Sequence, residues 1–350
     1  MNDRLAQSAG GTGPSPSPVW PEMMEREGQI QSASRAPDRI AWAPARFILK
    51  AMSTALPPIL FDARRLRRNR DQAATRFEEY AFLKTRVSSA LAERLGDVSR
   101  RFPLAMDLGC HTGETGAAIL EGGQVEHVLA ADPSPVFAAR AERAGLSAFA
   151  VPLETVPAKE ESLDLIVSTL SLHWTNDLPG LLAQVRRVLK PDGLFLAALF
   201  GAGTLSELRQ VLLEAEVELT GGAGARVSPL PGLQDMAGLL QRAGLALPVA
   251  DIEPITVRYP HMFKLLDDLK GMGERAAYAT PAEQGLSRRI LMRAGELYQK
   301  RFADPDGRIR ATFQIVWVSG WAPAANQPKP LKPGSGKVSL AQAIPRRAKP

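Results

Sequence analysis

The chain has 350 residues, 45% hydrophobic and 23% charged, with one cysteine, a composition for one large domain or two smaller ones. The single cysteine excludes an internal disulfide framework and a thiolate metal cluster, no apolar run approaches the roughly 20 residues of a membrane span, and a reducing cytoplasm is the expected compartment. The formal charge of +6 is local: Lys329, Lys332, Lys337, Arg346, Arg347 and Lys349 crowd the end of the chain without acids, so the body is neutral and nucleic acid is not an expected partner.

Residues 1–56 are broken by GGTGPSPSPVWP and APDRIAWAPAR and are expected to be a disordered or mis-called extension, with Met52 a candidate start. They lack the charged start and apolar core of a secretory signal. Asp3, Glu22, Glu25, Glu27 and Asp38 argue against an acid-poor transit peptide. RRLRRNR (64–70) reads as a solvated entry to the first helix, with docking of an acidic partner as the alternative. From Asp71 a helix is predicted, with Phe77, Tyr80, Val87, Leu91 and Leu95 on one face.

Strands and helices then alternate. LAMDL (104–108), HVLAAD (127–132), SAFAV (147–151), LDLIVSTL (163–170) and GLFLAALF (193–200) read as strands. ETGAAILE, PVFAARAERAG and LPGLLAQVRRVLK read as helices, the last stopped by Pro191. Near-continuous apolar strands between amphipathic helices imply a parallel sheet covered on both faces. After helices near 204–218 and 233–243, LPVADIEPITVRY (247–259) and RATFQIVWVSGW (310–321) predict an antiparallel edge, separated by a helical insertion at about 260–308. The expected division is one domain at 57–322 and a basic Pro/Lys-rich tail at 323–350.

AMDLGCHTGETG (105–116) places a tight turn between the first strand and its helix. In an open parallel sheet, ligands bind beyond the carboxyl ends of the strands. Gly109 permits the bend, Gly113 permits close approach, and the helix start offers free amides. His111 stands where a dinucleotide fingerprint has its second glycine, which weakens that reading. What remains is D-x-G-x-x-x-G, with Asp107 at the strand end and Asp132 at the next strand end, suited to a ribose.

This pattern resembles motif one of class I S-adenosylmethionine-dependent methyltransferases. LSLHWTNDLP, LFLAALFGAGTLSELR, RVSPLPGLQDM, LLQRAG, DGRIRATFQIVWVSGW and FDARRLRRNRD together resemble the methyltransferase-like family of respiratory complex I assembly factors, assembly factor 5 type. The resemblance implies an α/β, Rossmann-like fold with a seven-stranded sheet of order 3-2-1-4-5-7-6 and the seventh strand antiparallel. It implies an S-adenosylmethionine site in which Asp107, Gly109, Cys110 and Gly113 form motif one and Asp132 is the ribose acid. Ser168, Leu170 and the segment up to His173 would line the pocket. Pro152 stands at the frequent adenine-contacting acid, leaving Glu154 as its substitute. The implied activity is modification of an arginine on a complex I subunit, by methylation or hydroxylation, with at most peripheral contact with a membrane complex.

Methyl transfer needs a positioned nucleophile and a base. His173 is the candidate base or substrate orienter, against a plain strand-end cap. Trp174 is a cavity wall or a packing aromatic, Asp177 a helix cap, and Tyr259 and Trp317 substrate covers or core residues. His111 and His173 could meet Asp107 or Asp132 at a metal, but no H-x-D spacing supports one, and none is expected. Alternatives to a protein-modifying enzyme are a non-catalytic assembly chaperone that keeps the cofactor pocket, and a small-molecule methyltransferase for a biotin or quinone precursor.

Overall fold

The structure is a computed structural model that describes residues 59–280, 285–328 and 335; the expected extension 1–56 and every basic residue of the tail lie outside them. The chain enters through α1 (Ala63–Ala73), capped by Asp62, whose side chain accepts from the Arg64 and Arg65 amides. One helix running on from Asp71 is therefore corrected. RRLRRNR lies inside α1, Phe77–Glu79 forms a 3-10 turn, and α2 (Phe82–Gly96) carries Val87, Leu91 and Leu95 on its buried face.

The sheet contains β1 (Phe102–Leu108), β2 (Val125–Asp132), β3 (Ser147–Ala150), β4 (Leu163–Thr169), β5 (Leu189–Phe200), β6 (Ala246–Tyr259) and β7 (Ile309–Trp321). Their order is β3-β2-β1-β4-β5-β7-β6, with β7 antiparallel to both β5 and β6. The first five strands are parallel, in register Asp107↔Ala130 and Asp107↔Val167 around β1. Every residue of β4 is buried, as its near-continuous apolar run requires, and its Asp164 is held by Lys190. β6 tolerates Pro248 and Pro254 because it is an edge strand.

The helices α3 (Glu114–Glu121), α4 (Pro135–Arg143), α5 (Leu178–Val188), α6 (Ser206–Thr220), α7 (Leu233–Arg242), α8 (Met262–Gly271) and α9 (Arg288–Phe302) complete the layers. α5 ends three residues before Pro191, because the chain is already extended at Leu189. Leu91, Val211 and Leu265 pack on one sheet face; Leu182, Val185 and Leu240 pack on the other. Each fully buried leucine contributes on the order of 2 kcal/mol of burial.

Parallel strands send the loops after β1, β2, β4 and β5 to one end of the sheet. Three non-glycine residues adopt left-handed backbone at that end: His111 (φ 51), Leu170 (φ 49) and Leu205 (φ 54). Such conformations persist only where surrounding contacts impose them, and they concentrate at functional sites. Among the described residues, no helix is long and apolar enough to cross a membrane.

Candidate functional site

Gly109 (φ 75) makes the bend after β1 and Gly113 (φ 96) precedes α3. Their bare Cα atoms face protein. A Cβ on Gly109 would lie 2.2 Å from Ser171 Oγ, and one on Gly113 2.7 Å from Leu146 Cδ1. The Gly109 carbonyl accepts from Lys84 Nζ at 3.1 Å and Ser171 Oγ at 3.0 Å. The His111 ring bonds the same carbonyl at 3.0 Å; a carbonyl only accepts, so Nδ1 carries the proton. His111 is buried between Phe77, stacked at 5.1 Å, and Phe137, edge-on at 5.0 Å. Burial first, then the cations of Arg70 and Lys84, hold its pKa well below the ordinary histidine value.

Asp132 ends β2 fully buried. Its Oδ2 accepts from Arg70 Nη1 at 2.7 Å and from the His111 amide at 3.1 Å, and its Oδ1 from the Ser134 amide at 2.8 Å. Arg70 is itself 1% exposed and donates through Nη2 to Ser171 Oγ at 2.9 Å. Asp107 is different: among the described residues both carboxylate oxygens are buried without a well-formed hydrogen bond, the Gly116 amide being the nearby donor. Burial pushes its pKa up to about 6, although Lys84 and the Gly116 amide oppose the shift. Cys110 is a buried thiol whose pKa burial and the two nearby aspartates raise, so it is inert.

Ser168 Oγ donates to the Leu108 carbonyl at 2.6 Å and ties β4 to β1. The Leu170 amide bonds the Ala198 carbonyl, and its side chain borders a cavity of about 20 Å³ together with Phe77, Lys84 and His111. That space holds about one water. Glu154 is placed outside the turn: its Oε1 accepts the Asn176 amide at 2.7 Å. Asn176 in turn accepts the Leu60 and Phe61 amides at 2.8 Å each, which fixes the entry to α1.

A second cavity of about 510 Å³ opens beyond Phe200 and Glu274, which border both spaces. This volume lies within the range of small-ligand sites. Leu205, Leu208, Leu269, Phe313 and Tyr278 supply apolar wall; Arg65, Arg226 and Arg275 add cations. His173 and Trp174 lie on a 3-10 turn (Leu172–Trp174) after β4. Glu274 Oε2 accepts from Trp174 Nε1 at 2.9 Å and lies 3.0 Å from His173 Nε2. With Glu274 Oε2 as the acceptor, Nε2 carries the histidine proton; among the described residues Nδ1 is buried and makes no hydrogen bond. Glu274 Oε1 accepts no hydrogen bond among the described residues. Asp177 caps α5 through the Gly180 amide. Tyr259 and Trp317 do not line this cavity: both are buried in the sheet core, and Trp317 Nε1 donates to Glu253.

The fit to an S-adenosylmethionine group divides along β1. The orphaned Asp107 carboxylate suits a cationic amine. The turn and Asp132 do not fit a nucleoside in this arrangement, because their donors, acceptors and bare Cα faces are taken by Arg70, Ser171, Leu146 and His111. Among the described residues, no group of three or more His, Cys, Asp or Glu could hold a metal ion.

The sequence reading did not single out Lys84 or Glu274; it included Ser171 only within the pocket segment 168–173 and Arg70 only within the basic run RRLRRNR. A signal existed for Arg70: the buried positions of α1 are Leu66, Asn69, Arg70 and Ala73, so a charge falls on the apolar period. Lys84 shares the buried face of α2 in the same way. No local pattern marks Glu274, which meets His173 across 101 residues.

Residues 106–197 match the methyltransferase domain family. The chain is 39% identical over 286 residues to the protein named arginine-hydroxylase NDUFAF5, mitochondrial, of Danio rerio, covering 81% of this chain and 88% of that one. The Homo sapiens protein of the same name is 38% identical over 287 residues, covering 81% and 83%. A malonyl-[acyl-carrier protein] O-methyltransferase of Halorhodospira halophila is 32% identical over 265 residues, covering 74% and 88%. The cytoplasmic expectation is corrected by these relatives: the NDUFAF5 proteins are mitochondrial by name, and cysteine content alone does not separate two reducing compartments. Identity at this level over most of both chains, on a seven-stranded sheet of this order, makes the chain a member of the NDUFAF5 family of S-adenosylmethionine-dependent methyltransferase-like enzymes.

Proposed function

We propose that this enzyme modifies an arginine side chain on a protein partner, a subunit of respiratory complex I during its assembly. The observation that carries the reading is the Glu274 carboxylate at the wall of the 510 Å³ cavity, with Oε2 fixed by His173 and Trp174 and Oε1 left to accept. A guanidinium needs a planar carboxylate partner and an apolar passage for its three methylenes. Leu205, Leu208, Leu269 and Phe313 give the passage. Glu274 binds and orients the cation, while the aromatic and leucine walls exclude water and strengthen that bond. His173 fixes Glu274 through Nε2, while its Nδ1 is buried and has no hydrogen-bond partner among the described residues, so the ring serves to orient the carboxylate. The NDUFAF5 name, arginine-hydroxylase, supports the same acceptor.

One observation favours a second reading. Arg65 and Arg275 at the cavity and the exposed basic face of α1 suit an acidic carrier protein, and a relative is a malonyl-[acyl-carrier protein] O-methyltransferase. The Glu274 carboxylate opposes a malonyl carboxylate inside the cavity, which places this reading second. The test is mass spectrometry of complex I subunits from cells with and without the gene. A methyl or an oxygen gained on an arginine only when the gene is present is expected. Unchanged arginines, with transfer to an acyl carrier instead, would overturn the first reading.

A further inference from the structure

We infer that Arg70 is a built-in plug: its guanidinium holds the acid that this fold offers to a ribose, so a nucleoside enters only after Arg70 leaves.

The guanidinium lies across the end of β1. One nitrogen bonds Asp132 at the end of β2, the other bonds Ser171 after β4, and Gly109 lies beneath with its carbonyl held by the same Ser171. Both side chains of the ion pair are sealed from water, at 2% and 0% exposure. The helix that carries Arg70 is docked over the same end by a second contact, Ser134 Oγ to Asp71 Oδ1 at 2.6 Å. The next turn of chain brings Phe77 onto His111. About 20 Å³ of free space remains beside the turn, while ligand pockets run to several hundred.

Two physical points make this more than packing. A buried ion pair stabilises a fold little compared with apolar residues of the same volume, so stability alone does not explain it. And a site whose competent form is a minor fraction binds its ligand more weakly by that same fraction. Arg70 therefore sets affinity and entry rate from a position outside the ligand. Lys84, the other buried cation here, is not the plug, because it is held by the Gly109 and Thr169 carbonyls and not by Asp132. The inference stands apart from the arginine reading, which concerns the other cavity and is decided by analysis of the acceptor.

The test is calorimetric titration of S-adenosylhomocysteine into the full-length protein, wild type against Arg70→Gln, with the exposed Arg67→Gln as control. An affinity at least about 10-fold tighter in Arg70→Gln alone is expected. Equal or weaker binding by a folded Arg70→Gln overturns the proposal, as does no binding by either protein. Should Arg70→Gln not fold, stopped-flow binding to the wild type decides. An observed rate that reaches a plateau with ligand concentration is expected where plug release limits entry; a rate that rises linearly throughout overturns it.

Discussion

The two sides of Phe200 and Glu274 are built on opposite terms. On the β1 side, Asp107 excepted, polar groups pair with the chain itself: Asp132 with Arg70, the Gly109 carbonyl with Lys84 and Ser171, and Ser88 with Thr115, which reaches Thr169. On the β5 side a 510 Å³ space is bordered by a carboxylate with a spare oxygen and by the histidine and tryptophan that fix its other oxygen. The difference teaches that a family motif marks where a ligand site is placed in a fold and not whether that site is open. Among the described residues Asp107 is unpaired on the closed side too, so it is open valence beside a space of this size that marks the second chamber as ready to receive a molecule.

The largest expected effect strikes the closed side. Gly109→Arg would force a side chain against Ser171 on left-handed backbone, at a cost of about 4 kcal/mol or more. Chemical denaturation reads this, and a wild-type midpoint would show that Ser171 yields and the turn is loose. Next comes Arg70→Ala, which strands the Asp132 charge in the interior at a cost of about 3–5 kcal/mol. Adding Asp132→Asn should recover most of that loss; additive losses in the double variant would mean the pair is not coupled.

Asp107 gives the comparison a pH dependence. Its folded pKa of about 6 lies above the ordinary 3.8, so the ionised form is disfavoured in the fold. The penalty is absent below about pH 4, grows as pH rises, and is complete above the folded value, at about 3 kcal/mol. Asp107→Asn should therefore exceed the wild type in stability at pH 8 and match it at pH 4, measured by denaturation at each pH. A gap that ignores pH would mean the carboxyl finds a partner when ionised.

On the open side, Glu274→Gln should lower kcat/KM on an arginine acceptor by about 10²-fold, the scale of one buried hydrogen bond to a charge. Unchanged turnover would remove Glu274 from recognition. The smallest effect belongs to Arg67→Ala, 62% exposed and 3.9 Å from Asp71, at under about 0.5 kcal/mol. A larger shift would show that the whole basic face of α1 supports the fold, and not Arg70 alone.

Much of the fold was legible because strand burial writes itself as near-continuous apolar runs. GLFLAALF and LDLIVSTL could be little else, and the two late strands stand apart by length, the edge strand β6 also by its two prolines. The boundaries of α1 and α2 were not legible, because Phe77 and Tyr80 keep apparent helical spacing across a break. At the site, Asp107, Gly109, Gly113 and Asp132 could be named from local spacing, and the structure brings them to one end of the sheet. Their partners could not be named. Arg70 reaches Asp132 over 62 residues and Glu274 reaches His173 over 101, and such pairings exist only once the chain has closed.

Helix α1 links the large chamber to the β1 turn: Arg65 lines the cavity, and Arg70, less than two turns along, grips the acid of β2. A rigid rod that touches two ligands couples their arrival. The enzyme is then expected to load its reactants in a compulsory order, the nucleoside first, with the acceptor completing the closure. Steady-state inhibition by S-adenosylhomocysteine would carry that signature, competitive toward one reactant and noncompetitive toward the other.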